Sequence, residues 1–286
     1  MAGNRHLIFR AAWWMTNVLF ALAIVSLVYS GCREYSVRRY LDGFSDAIVP
    51  NSLPAQAKVE AILSWMRAEP SRATTTHPDD LAHRDPMMTL NYAQLLHVCG
   101  TATNAFLNLA RGSDLQVRRL LLLDRHQTTK HVVAEVLIDG KWIVVDPTYR
   151  MVMRDANGRM LTRNDLQKPE LYAQATSGVP GYPPQYTYER FAHVRITRLP
   201  MVGLGLRRVL DWAMPGWEEM ADWSMLLERE SFFVLFVSAM ATVFMVLLRA
   251  ALAWYADRRL HIPRFGLRKH FRRAGVALFS TPEIHQ

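Results

Sequence analysis

Three residues in the middle of the chain carry the side chains of nucleophilic acyl transfer: Cys99, His131 and Asp146. In that chemistry a thiolate attacks a carbonyl carbon, an imidazole moves the proton, and a carboxylate fixes the imidazole tautomer. Each residue has a plainer reading by itself. A cysteine near an apolar helix is by default a small buried hydrophobe, a single histidine signals little, and an aspartate before Pro147 can simply cap a turn. Their meaning depends on the elements that bring them together.

Downstream of Cys99, Ala102, Ala105, Phe106 and Leu109 recur at i, i+3, i+4 and i+7, which predicts a helix packed on a core. Gly112 stands where a C-terminal cap belongs. Cys99 then falls in the first turn, where the positive end of the helix dipole favours thiolate. QVRRLLLL predicts a buried strand, and a polar loop leads to HVVAEVLIDGKWIVVDPTYR. Asp139-Gly140 between two β-branched runs is a two-residue hairpin signal. With that turn as the loop, Val133 lies opposite Asp146 and His131 opposite Thr148. Side chains alternate along a strand, so Asp146 becomes the diagonal neighbour of His131 on one sheet face, roughly 7–8 Å away at Cα. A histidine and an aspartate bridge that separation by a hydrogen bond.

Upstream, Ser52 or Asn51 can cap a helix with Pro54 in its first turn, running through AQAKVEAILSWMRAE and ended by Pro70. SRATTTHPDDLAHRDP then reads as a loop whose His77 and His83 are solvated. Downstream, Asn157-Gly158 turns the sheet again, and Thr162 or Asn164 starts a short helix toward Glu170. SGVPGYPPQYTYERF is a Pro/Gly/Tyr loop, expected on the surface in preference to walling a cleft.

The chain of 286 residues, 50% hydrophobic and 21% charged, is long enough to bury a core in one or two domains. Its +9 charge is concentrated at the ends: Arg5 and Arg10 give +2, residues 249–286 give +6, and the remainder carries +1. That distribution argues against a folded nucleic-acid domain. Residues 11–30 contain no charge and reach about 30 Å as a helix, and Ser231 to Leu248 is a second uncharged run that continues to residue 255 past Arg249, a side chain long enough to snorkel. Two membrane crossings are expected. The basic ends place both termini in the cytoplasm and residues 31–230 outside, in a two-pass plasma-membrane protein. Two cysteines make no disulfide framework, and Cys32 is a bystander at the membrane edge in preference to a lipidated residue. Residues 201–230, with Trp212, Trp217 and Trp223, read as an amphipathic segment packed on the bilayer.

Cys99-Gly100-Thr101 opening a helix, then His131-Val-Val-Ala-Glu-Val, Asp139-Gly140-Lys141-Trp142 and Asp146-Pro147-Thr148, resemble the bacterial transglutaminase-like domain of the papain-like superfamily over roughly residues 50–165. His97, where glycine is frequent, and Val133, where an aromatic is common, depart from its pattern. The resemblance implies an α+β core with N-terminal helices and an antiparallel sheet, the cysteine on a core helix and the histidine and aspartate on adjacent strands. It implies that Cys99 attacks an amide or ester carbonyl, His131 transfers protons, Asp146 orients the imidazole, and the Cys99 backbone N–H with the Gln94 side chain holds the oxyanion.

The expected organisation is a cytoplasmic N-terminus at 1–10, a transmembrane helix at 11–30, the transglutaminase-like domain at 31–200, the juxtamembrane segment at 201–230, a second transmembrane helix at 231–255 and a basic cytoplasmic tail at 256–286. No cofactor or metal is implied, for the chain has no EF-hand-like acidic loop, phosphate loop, dinucleotide fingerprint or zinc motif. The expected partners are the bilayer and a peptide, protein or glycan of the envelope, with no nucleic acid. The expected activity is a protease or amidohydrolase in preference to cross-linking. The competing expectation is a non-catalytic domain that holds a peptide or glycan in envelope polysaccharide production or export.

Overall fold

A computed structural model describes residues 2–68, 90, 98–194, 203–220 and 223–260. Gln94, His97, the expected loop at 71–86 with His77 and His83, and the expected basic tail beyond residue 260 lie outside these residues. The chain divides into two compact units, one of residues 1–27 and 238–286 and one of residues 28–237.

The first helix, α1 (Ala2–Ile48), runs 47 residues and belongs to both units. It passes the expected stop at Ser30, because no proline occurs before Pro50 and an apolar stripe at Val37, Leu41, Phe44 and Ile48 keeps helical spacing. Those residues pack into the domain core. The expected boundary between membrane helix and domain therefore falls inside one continuous helix.

In the terminal unit, α1 and the last long helix are each long and apolar enough to cross a membrane. Large apolar side chains such as Leu7, Trp14, Val18, Phe244 and Leu247 face outward. Ser26 and Ser238 share a hydrogen bond of 2.8 Å across the pair. Arg249 has partners within the pair. Its guanidinium lies over the rings of Trp13 and Phe20 and donates to Asn17 Oδ1.

In the central unit, α2 (Ala55–Ala68) and α3 (Cys99–Gly112) pack on a five-stranded antiparallel sheet of order β4-β3-β2-β1-β5. The strands are β1 (Val117–Leu123), β2 (Thr129–Ile138), β3 (Lys141–Asp146), β4 (Met151–Val152) and β5 (Phe191–Ala192). Ala134, Val136, Ile138, Ile143 and Val145 pack with Ile62, Leu63 and Met66 of α2 and Ala102, Phe106 and Leu109 of α3. Leu120, Leu122, Val133 and Val144 join a second cluster with α4 (Arg163–Leu166), α5 (Pro169–Thr176) and Tyr188. The α+β class and the antiparallel sheet are as expected.

Thr162 caps α4, accepting from the Asp165 amide while Asp165 returns a bond to the Thr162 amide. Gly112 is needed for a different reason from the one expected. The left-handed residue after α3 is Asp114, with φ 60°, whereas a Cβ on Gly112 would lie 2.4 Å from Ser45 Oγ and 3.1 Å from the Leu41 carbonyl oxygen. Glycine there lets α1 and α3 approach, and Ser45 Oγ donates to Leu109 O at 3.0 Å across the contact.

The last part of the unit holds α6 (Gly203–Ala213), α7 (Trp217–Met220), α8 (Trp223–Glu228) and α9 (Glu230–Tyr255), whose later part is the second apolar helix of the terminal unit. The expectation that all three tryptophans pack on the bilayer is corrected here. Trp217 is buried with Val194, Leu210 and Trp223, while Trp212 is 86% exposed.

Candidate active site

Val98, with φ −137° and ψ 163°, is still extended, and Cys99 is the first residue of α3. The start of the helix is fixed locally, for Thr101 Oγ1 accepts from the Val98 amide at 3.2 Å and donates to the Val98 carbonyl at 2.9 Å. Two residues on, Thr103 Oγ1 donates to Val132 O at 2.9 Å, which ties the first turn of α3 to β2 one residue past His131.

His131 reaches its place through the hairpin. Asp139 and Gly140 take φ 48° and 75°, the two left-handed positions of the tight turn, and the ladder pairs Ile138 with Lys141 through Ala134 with Val145. That is the expected register. His131 Nε2 donates to Asp146 Oδ2 at 2.7 Å, with both side chains buried at 1% and 0% exposure. A bulge opposite Leu122 and Leu123 ends the regular pairing of β2 just before His131.

The Asp146 carboxylate does two things at once. Oδ1 accepts from the amides of Thr148 at 3.0 Å and Tyr149 at 3.3 Å, so the carboxylate caps the turn after Pro147. Oδ2 is shared by His131 Nε2 and by Tyr182 Oη, which donates at 2.9 Å. The carboxylate therefore caps the turn and pairs with His131 at the same time.

With Nε2 committed to Asp146, Nδ1 is the ring nitrogen left for exchange with Cys99. The partly exposed Cys99 interacts with the same ring and with the Val132 amide. Burial pushes the thiol up, but the hydrogen bond and charge of His131, the Val132 amide and the charge of Arg119 outweigh it and leave Cys99 below the ordinary thiol range. For His131, burial pushes down, and the bonds and charges of Asp146 and Cys99 carry it up to about 9. The two shifts favour a thiolate beside an imidazolium.

Several participants escaped sequence reasoning. The Pro/Gly/Tyr segment was expected to be a surface loop, but it walls the site. Tyr186 stacks flat on His131, with ring centroids 4.1 Å apart and planes within 2°. Tyr182 packs on Tyr149 at 4.7 Å and near Tyr172 at 6.2 Å. The clustering of tyrosines between prolines was a visible signal, though it named no target. Arg119 is the other omission. In a run read as a buried strand, its Nη2 comes within 3.5 Å of where a Cβ on Gly100 would be, beside the start of α3. Among the described residues, no group of three or more His, Cys, Asp or Glu side chains is arranged to hold a metal ion.

Residues 42–147 match the family model of the transglutaminase-like superfamily. The match runs from the end of α1 through Asp146 and stops before the tyrosine segment. Neither the curated proteins nor the solved structures contain a match to the chain.

Proposed function

We propose that the chain is a membrane-anchored cysteine enzyme of the bacterial envelope, catalysing acyl transfer from an amide or peptide substrate, with hydrolysis favoured over cross-linking. The observation that carries this reading is the buried 2.7 Å pair of His131 and Asp146, which leaves the other ring nitrogen for the partly exposed Cys99 that interacts with the ring at a helix start.

In the proposed reaction the Cys99 sulfur bonds to the carbonyl carbon while His131 Nδ1 holds the thiol proton. The oxyanion forms at the N-terminus of α3, near the Cys99 backbone N–H and the Arg119 charge, with Gln94 proposed as a side-chain donor. Collapse breaks the carbon–nitrogen bond, His131 gives its proton to the leaving amine, and a thioester remains. Water then adds as His131 takes one of its protons, the carbon–sulfur bond breaks, the acid departs, and the proton is again shared by sulfur and imidazole. An amine in place of water would give transamidation.

The two apolar helices and the basic ends support a two-pass arrangement with both termini in the cytoplasm and the domain outside. Protease added to spheroplasts should cleave within the domain and spare the termini. Protection of the domain would reverse the topology.

Thiol labelling tests the chemistry. Cys32 is an exposed free cysteine and serves as an internal reference. Cys99 should react with an amide-mimicking electrophile faster than Cys32, and His131→Ala should abolish the difference. Equal labelling of both cysteines would leave the non-catalytic binding reading in its place.

A further inference from the structure

Asp146 Oδ2 carries two donors, and the second comes from outside the span matched by the family model. Tyr182 lies 36 residues beyond Asp146, in the segment that also lays Tyr186 on the imidazole face. Tyr172 Oη holds this segment by donating to Pro183 O at 3.4 Å. Fully buried Tyr188 adds its hydroxyl beside that of Tyr182. A phenol placed only to fill space would not need its oxygen 2.9 Å from a carboxylate that already has three other donors.

We infer that Tyr182 is a positioning residue for the cysteine chemistry: by donating to the oxygen that His131 also uses, it sets the direction and strength of the Asp146–His131 pairing, while Tyr186 fixes the ring plane. This rests on the reading of Cys99 and His131 as nucleophile and base. A hydrogen bond to a carboxylate spreads its negative charge and weakens its pull on the imidazolium. Tyr182 therefore holds Asp146 in line and also moderates how tightly His131 keeps its proton. The groups facing His131 are Cys99 from α3, Asp146 at the end of β3, Tyr149 from the following turn, and Tyr182 and Tyr186 from the tyrosine segment. Burial raises Tyr172, Tyr182 and Tyr188 above the usual phenol range, Tyr172 to about 12, so these three stay protonated donors across the working range.

The test is the pH dependence of Cys99 alkylation by iodoacetamide in the full-length protein in detergent, with Cys32→Ser removing the other thiol. The alkaline limb reports loss of the His131 proton. Tyr182→Phe keeps the ring and deletes the donor, and it should move that limb upward by about half a pH unit or more. Tyr188→Phe deletes a neighbouring buried hydroxyl that does not touch Asp146, and it should move the limb by less than half as much. A Tyr182→Phe profile that coincides with the parent, or equal shifts in both variants, overturns the positioning role while leaving the cysteine reading intact. If Cys99 in the parent shows an ordinary thiol profile that His131→Ala does not change, the enzyme reading fails and this inference falls with it.

Discussion

Two histidines are buried in the same sheet with opposite proton affinities. His131 on β2 is raised to about 9, whereas His193, just after β5, is held below the ordinary histidine range by burial and by the Arg118 charge. Each has a carboxylate nearby, so the difference lies in what else those carboxylates serve. Glu135 is bound by Arg118 at 2.6 Å, and its oxygen stays 3.8 Å from His193 Nε2. The His193 ring donates from Nδ1 to Arg119 O at 2.8 Å, and Nε2 faces Arg163 Nη1 at 3.5 Å, which suits a neutral imidazole. Asp146 meets neutral donors and gives its free charge to His131. Burial alone lowers a histidine's proton affinity. A carboxylate without a competing cation raises it.

The comparison can be broken at either end. The largest expected effect is structural: Arg118→Ala strands Glu135 in the interior and should cost about 3 kcal/mol or more in stability, read from chemical denaturation in detergent. The pH profile of Cys99 labelling should stay in place, and a displaced profile would show that the two clusters are coupled. Next, His131→Ala should slow Cys99 alkylation at pH 6 by roughly 100-fold, because the thiolate loses its counterion. His193→Ala should change that rate by no more than about twofold.

Asp146→Asn removes the main partner that raises His131, so the alkaline limb of labelling should fall from about 9 toward the ordinary histidine range, a loss of roughly one to two units. An unmoved limb would mean that the carboxylate does not govern the imidazole.

The smallest effect is one of stability against pH. His193 folds neutral with a depressed proton affinity, so the unfolded chain takes up a proton that the folded one refuses as the pH drops below the ordinary histidine range. Stability should therefore decline toward acid, and His193→Gln should flatten that decline in thermal melts.

How much was legible in the sequence follows from the range over which each feature is encoded. The Asp139-Gly140 turn fixed the β2–β3 register, and the apolar stripe after Cys99 set the start of α3, because turn dihedrals and side-chain periodicity are properties of a few neighbouring residues. The continuation of α1 to Ile48 was equally local, yet charge drew the expected boundary to Ser30. Hydropathy marks where a helix leaves the bilayer and gives no reason for the helix to end there. Trp217 was misassigned for a different reason. An indole suits a membrane interface or a protein neighbour equally well, and only the path of the chain decides which it meets.

By itself, then, the sequence determined the elements, the hairpin register that brings His131 to Asp146, and two helices long enough for a membrane. Only tertiary structure decided that Cys99 meets His131, that Gly112 is kept small for Ser45, and that Tyr182 and Tyr186 return to cover the histidine and its carboxylate. These are closures over tens of residues, where many tyrosines and threonines would satisfy local rules alike. The choice among them is made by packing and by which buried polar atom needs a partner.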